Sequence, residues 1–362
     1  MTKQEKNISM HAPSITEWME KIKMPSIKKL RHEDSTKRDR LHSLYLISGL
    51  PYLRAVRTNI KELLSPTRKS APAAQNTKFL FKLLPTSDND RKLRIRGVSM
   101  KKGIEWVKKQ NINQKKYKVE IVPYDDKAVR YSAVFCINEN GIWGEIIQGS
   151  IWQFSTGGYK KSPIIFLFNY KQWFFSHQDA NARSFIFKTV RHLHITEKNK
   201  REKIKKVIKA EFTAKNHYLK GYFECSLQSD KIVFIDYNRV LFKILRGALI
   251  TISGGIGRLS GVCIGPGQTR GRVRIVLKPR SKTIFKKDEI LVCRNATYDY
   301  LPLIRKASGI ITEQCTILSH PAIVSRELRK PYVADVKNVT KKLKTGDEVL
   351  LDATQGIVKI II

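Results

Sequence analysis

The sequence predicts a multidomain chain of mixed α/β and α+β architecture, and three observations carry that prediction. Its 362 residues, 41% of them hydrophobic, suffice for two or three domains with real cores. Between residues 78 and 240, strand-like alternation and helix-like periodicity follow one another. From residue 261 to 362, short apolar runs bounded by turn residues flank a short amphipathic helix.

Taken in order, residues 1–77 read as a basic, largely helical extension and linker. Ile15 to Met24 and Leu41 to Leu64 carry apolar residues at helical intervals, with Pro51 interrupting the second run. Ser65 to Asn76, rich in Ser, Pro, Ala and Lys, reads as the linker. The second unit spans 78–240: Leu93 to Gly97 leads into a helix over Ser99 to Gln110. Val119 to Pro123, Tyr131 to Asn138 and Gly141 to Gln148 alternate like strands, and Asn138-Glu139-Asn140-Gly141 supplies a hairpin turn. The loop Ser155-Thr156-Gly157-Gly158 precedes an apolar strand over Pro163 to Phe168. A charged helix over Thr196 to Lys209 is followed by strands Tyr218 to Leu227 and Lys231 to Tyr237. Residues 241–260, with Ile252-Ser253-Gly254-Gly255-Ile256-Gly257 at their centre, read as a hinge. The unit 261–362 closes on a hairpin around Ala353 to Gly356.

The formal net charge of +38 favours polyanions. Because the lysines spread along the whole chain and no zinc-finger, RNP-like or basic-zipper pattern occurs, the expectation is nonspecific attraction rather than sequence reading. Cys136, Cys225, Cys263, Cys293 and Cys315 lack paired metal spacing, the usage of a reduced, cytoplasmic protein; Cys315 alone is expected near solvent. No run of eighteen apolar residues or signal-peptide core occurs, so neither a membrane span nor secretion is expected.

The chemistry concentrates in Ile310 to Val336, I-I-T-E-Q-C-T-I-L-S-H-P-A-I-V-S-R-E-L-R-K-P-Y-V-A-D-V. An apolar strand enters a polar loop; a helix starts at Ser319 or His320, because Pro321 suits its first turn, and stops near Arg329-Lys330 before Pro331. His320 thus stands at a helix N-terminus, where free N–H groups favour negative charge. On spacing alone such a histidine is more often a cap or a partly buried polar residue. The surrounding pattern T-E-x-x-x-x-L-S-H-x-A-I-V-x-R-E-L-x-x-P resembles the phosphohistidine swivelling domain of the phosphoenolpyruvate-utilising enzymes, which include phosphoenolpyruvate synthase, pyruvate phosphate dikinase and the rifampin phosphotransferases. The resemblance extends through Gly265-Pro266-Gly267, Gly271 to Val276, Asp288 to Val292, Thr345 to Val349 and Asp352 to Gly356. It implies a swivelling β/β/α domain in which His320 accepts a phosphoryl group, with Ser319 and Arg326 beside it as catalytic partners. Cys315 and Thr316 stand where the family has two glycines, Leu318 where kinase members have threonine, and Pro321 where a small residue is usual.

A second constellation lies on the paired strands: Glu224 in G-Y-F-E-C, then Asp236, Asn238 and Arg239 in F-I-D-Y-N-R. Alternation puts Asp236 and Asn238 on one face, and two carboxylates with an amide oxygen suit Mg²⁺. This resembles the metal-binding strands of ATP-grasp domains, so the second unit is expected to be a divergent ATP-grasp-like domain. Arg94, Arg96 and Arg239 are the candidate nucleotide phosphate ligands. His192-x-His194 would share a strand face but lacks a third ligand, and no hydrolase motif occurs. The expected activity is therefore an ATP-dependent, dikinase-like phosphotransfer with Mg²⁺, from ATP or phosphoenolpyruvate through His320 to a small-molecule acceptor. A carrier that needs a separate catalytic subunit, and an inactive basic scaffold, are the other two readings.

Overall fold

The computed structural model describes residues 13–65, 77–87, 90, 92–124, 128–156, 159, 161–245, 259–280 and 283–361. Three helices come first: α1 (Ile15–Lys21), α2 (Ile27–Ser35) and α3 (Lys37–Ser48). Ser14 starts α1 with a reciprocal cap, its hydroxyl accepting from the Glu17 N–H while the Glu17 carboxylate accepts from the Ser14 N–H. These helices are not peripheral. Trp18, Met19, Leu30, Leu41 and Leu44 are each 1% exposed or less, which corrects the expectation of an extension.

A four-stranded antiparallel sheet follows: β1 (Val56–Asn59), β2 (Phe79–Pro85), β3 (Leu93–Val98) and β4 (Tyr117–Pro123), in the order β1-β4-β2-β3. Between them lie α4 (Ile60–Leu64) and α5 (Met100–Lys108). Gly103 lets α5 press on the sheet, since a Cβ there would run into the Phe81 ring. Val56 to Asn59, read as helix, is strand. Its β-branched Val56 and Thr58 pair with β4, and this edge pairing overrides the helical spacing of the apolar residues. The strand β2 carried no expectation, being an apolar run too uniform to show a period.

The second sheet has seven strands: β5 (Val129–Asn138), β6 (Gly141–Gln148), β7 (Ile164–Phe168), β8 (Trp173–Phe175), β9 (Glu211–Phe212), β10 (Leu219–Gln228) and β11 (Lys231–Asn238). Their order is β11-β10-β5-β6-β7-β8, with β9 beside β10. The expected strand pairs and the Asn138–Gly141 turn are present. Associated helices are α6 (Trp152–Thr156), α7 (Ala180–Arg191), α8 (Lys198–Ile208) and α9 (Arg239–Leu245). One face packs Ala133, Phe135, Ile142 and Ile146 against Phe185, Ile186 and Ile204 of α7 and α8. The other face, with Val134, Cys136, Trp143 and Ile147, belongs to a core shared with α1 and the C-terminal unit. That double burial explains why β5 and β6 read as nearly continuous apolar runs.

The C-terminal sheet runs β12-β19-β18-β14-β15-β16-β17-β13. Its strands are β12 (Leu259–Ser260), β13 (Val262–Gly265), β14 (Gln268–Ile275), β15 (Ile290–Cys293), β16 (Gly309–Thr312), β17 (Tyr332–Ala334), β18 (Glu348–Asp352) and β19 (Ile357–Ile361). The pairs from β14 to β17 are parallel, crossed by α10 (Leu301–Lys306) and α11 (His320–Glu327); α12 (Val339–Lys342) precedes the closing β18–β19 hairpin. Leu241 to Leu245, expected in the hinge, form α9 with Leu241, Phe242 and Leu245 buried. The linker residues 66–76, Gly157-Gly158 and Ile252–Gly257 lie outside the described residues.

Candidate active site: a cationic cavity bordered by His320

Strand register places the acidic residues. Glu145 on β6 opposes Val134 on β5, Val134 opposes Glu224 on β10, and Glu224 opposes Asp236 on β11. One row across the sheet therefore carries Glu145, Glu224 and Asp236 on the same face. Glu224 accepts a hydrogen bond from the Tyr222 hydroxyl at 2.8 Å. Burial and the neighbouring Asp236 hold its carboxyl above the usual range. Lys37, the first residue of α3, enters this row: its Nζ lies 3.2 Å from Asp236 Oδ2 and 2.9 Å from Asp34 Oδ1. Burial disfavours the Lys37 ammonium, but Asp236, Asp34 and Glu224 outweigh it and raise its pKa.

Glu224 and Asp236 of this row lie on one wall of a cavity of ≈170 Å³ whose opposite wall is the four-stranded sheet. Lys37, Arg38, Lys82, Lys92, Arg94 and Arg96 line it, against the carboxylates of Asp34, Glu224 and Asp236. The excess of cations suits an anionic occupant. Lys82 donates to Glu120 at 2.8 Å, and burial brings its ammonium down to about 7. Arg94 donates to Glu17 of α1, and Lys92 pairs with Asp34 at 2.6 Å.

His320 lines the same cavity. Ser319 caps α11, its Oγ accepting from the Ala322 N–H at 3.3 Å and donating to the Thr316 carbonyl at 2.8 Å. The cap fixes the direction in which the next side chain leaves the loop. The imidazole meets Trp18 edge-on, with ring centroids 6.1 Å apart, and its Nδ1 is buried with no hydrogen-bond partner. Burial, then the charges of Arg94 and Arg96, push its pKa down to about 3, partly offset by a backbone hydrogen bond at Pro13. The ring is neutral at physiological pH, as a nucleophile must be.

The sequence-derived set divides here. His320, Arg94, Arg96, Glu224, Asp236 and Asn238 all line the cavity. Arg239 does not: it begins α9, just past the strand's alternation, and pairs with Glu33 at 2.6 Å. Asn238 turns its Oδ1 to the Leu241 N–H at 2.8 Å and caps that helix, so the amide oxygen expected as the third metal ligand already accepts one hydrogen bond. Arg326 lies beneath the loop, six residues along α11 from His320, and donates to the Ile317 carbonyl at 2.5 Å; it and Ser319 shape the loop without lining the cavity. Cys315 is 5% exposed, 3.0 Å from Ser319 Oγ, and burial raises its thiol to about 11, which corrects the expectation of an exposed cysteine. His192 caps the end of α7 rather than sharing a strand face with His194. Among the described residues no group of three or more His, Cys, Asp or Glu side chains is placed to hold a metal ion.

Sequence reasoning missed Lys37, Lys82, Glu120 and Glu145. Two of them carried a signal: Lys82 in F-L-F-K-L-L and Glu145 in I-W-G-E-I-I are lone charges inside apolar strands, whereas Glu120 shares its strand with Lys118. A charge so placed must find a buried partner.

Residues 285–356 match the family described as PEP-utilising enzyme, mobile domain. A probable phosphoenolpyruvate synthase of Pyrococcus horikoshii is 42% identical over 100 residues, 28% of this chain and 12% of that protein. Pyruvate kinase 2 of Synechocystis is 37% identical over 98 residues, 27% of this chain and 17% of that protein. The aligned segment thus spans less than a fifth of these relatives. Among solved structures, D-alanine–D-alanine ligase from Bacillus anthracis complexed with ATP overlays 59% of this chain and 57% of its own at 6% identity, with a TM-score of 0.30.

Proposed function

We propose, from a C-terminal segment that belongs to the mobile-domain family of phosphoenolpyruvate-utilising enzymes, that this chain is a phosphotransferase in which His320 receives a phosphoryl group from a nucleotide held in the cationic cavity. The observation that carries the reading is the position of His320: a neutral imidazole borders a cavity rich in Lys and Arg and walled by an antiparallel sheet bearing paired carboxylates. That arrangement agrees with the ATP-grasp-like expectation for the preceding unit.

The chain's own groups suffice for most of the step. Lys37, Lys82, Arg94 and Arg96 supply cations to the phosphates. A ring nitrogen of His320 forms the N–P bond as the bridging P–O bond breaks. The leaving nucleotide takes that electron pair: ADP when Pγ is attacked, or AMP when Pβ is attacked, in which case water must then cleave the terminal phosphate from the pyrophosphoryl group on the ring; no proton need first leave the ring. Glu224 and Asp236 fit a divalent cation, because Asp236 Oδ1 is buried and unpartnered beside a second carboxyl group. Mg²⁺ held there would neutralise phosphate charge. The acceptor and the choice of ATP over phosphoenolpyruvate as donor belong to this proposal as well.

The test is incubation of purified protein with β- and γ-labelled ATP beside His320→Ala. Acid-labile, base-stable label that vanishes in the variant is the expected result. No label from either nucleotide would overturn autonomous transfer from ATP and leave the partner-dependent carrier.

A further inference from the structure

The row of residues that holds Glu224 and Asp236 continues to a third carboxyl group that the phosphotransfer step does not use. Glu145 is 2% exposed and stands between Trp143 and Ile147 on the same face of β6, in an otherwise apolar strip. Both its carboxylate oxygens are engaged: Oε1 accepts from the Ile317 N–H at 2.8 Å and Oε2 from the Leu318 N–H at 3.1 Å. Those two residues lead directly into Ser319 and His320. One side chain of the seven-stranded sheet therefore grips the backbone of the histidine loop across the boundary between the two units.

The loop is held from two sides at one residue. Arg326, from its own helix, donates to the Ile317 carbonyl; Glu145, from the other unit, accepts from the Ile317 N–H. The contact from Arg326 travels with the C-terminal unit wherever it goes. The contact from Glu145 exists only when the loop is seated on the sheet. Because adjacent strands lie about 4.8 Å apart, the carboxylate that seats the loop is set about 10 Å from Glu224 by the sheet itself. Burying a carboxyl group is costly, and a purely adhesive contact between apolar faces would not need one.

We propose that Glu145 is the positioning residue that seats His320: it clamps the Ile317–Leu318 backbone and so fixes the reach from the imidazole to phosphates bound near Glu224 and Asp236. The kinetic part rests on the phosphotransfer reading above; the seating part does not.

Hydrogen exchange on the full chain without nucleotide, read in peptides covering 313–320, tests the seating. In Glu145→Ala these amides should exchange roughly 10-fold faster or more, while β15 amides stay protected. Glu145→Gln, which keeps the volume but offers one acceptor oxygen, should fall between and guards against misfolding as the cause. Unchanged exchange at the loop in both variants would overturn the proposal. The second arm is the rate of His320 labelling from Mg·ATP, expected to fall roughly 100-fold at saturating nucleotide with the half-saturating concentration unmoved. A change in half-saturation alone would overturn the positioning role, because it would make Glu145 a contributor to nucleotide binding. Should wild-type protein take no label, that failure belongs to the phosphotransfer reading, and the exchange result decides the proposal by itself.

Discussion

At the scale of single residues, the site is governed by which charges are buried together. His320 is pushed from its ordinary 6.5 down to about 3 by burial and by Arg94 and Arg96. A base with a depressed folded-state value loses folded-state stability as pH falls below 6.5, because the unfolded chain takes the proton first, and the loss is complete only below about 3. Urea unfolding should therefore show wild-type protein losing more stability than His320→Gln between pH 7 and roughly 4. Lys37 makes a different prediction, since its ammonium occupies the space between Asp236 and Asp34. Lys37→Met should tighten Mg²⁺ binding to the nucleotide-free protein by roughly 10-fold, measured by calorimetry, as two carboxylates lose their resident cation. Equal affinity in both proteins would show that lysine and metal do not compete. Residues of this kind were half legible beforehand. Lys82 and Glu145 carried a signal that the reading did not use, as lone charges in apolar strands, whereas Glu120 shares its strand with Lys118 and Lys37 sits in the charged run T-K-R-D-R, where nothing local marks it.

At the scale of elements, local chemistry decided what could be read. The start of α11 was legible to within a residue because a cap (Ser319) and a first-turn proline (Pro321) mark it, whereas it ends at Glu327, short of the Arg329-Lys330 stop expected from Pro331. β1 was misread because its identity comes from β4, some 60 residues later, and no local period records that. Arg239 and the Asn238 amide have partners that the sequence did not suggest for a related reason: the strand ends at Asn238, so alternation stops and a helix cap takes over. The contact between β6 and the histidine loop has its own pH dependence. Burial raises the Glu145 carboxyl to about 8 against the Ile317 and Leu318 N–H groups and Arg326, with Asp335, Tyr159 and Cys315 also facing it. An acid raised above its unfolded value contributes stability that is full below that value, 4.5, and is lost as pH rises through about 8. Protection of the loop amides, corrected for intrinsic exchange, should decline from pH 6 to roughly 9 in wild-type protein and stay level in Glu145→Gln. A level profile in both would remove Glu145 as the titrating group.

At the scale of the whole molecule, a net charge of +38 remains after the buried pairs are formed. Binding to single- or double-stranded nucleic acid should weaken steeply with salt and be the same for wild-type protein and His320→Ala, as a gel-shift series at several salt concentrations would show. Loss of binding in the variant would tie the polyanion to the phosphotransfer site instead. Finally, α1 has a consequence for how the molecule is made. Trp18 packs against Tyr298 and His320, with centroids 5.3 and 6.1 Å apart, and Arg305 reaches the Lys21 carbonyl. During synthesis this helix leaves the ribosome long before the surface it covers. Its apolar face must wait for that later segment before it can be buried. A chain halted before α11 would display Trp18 and Met19 to any passing chaperone.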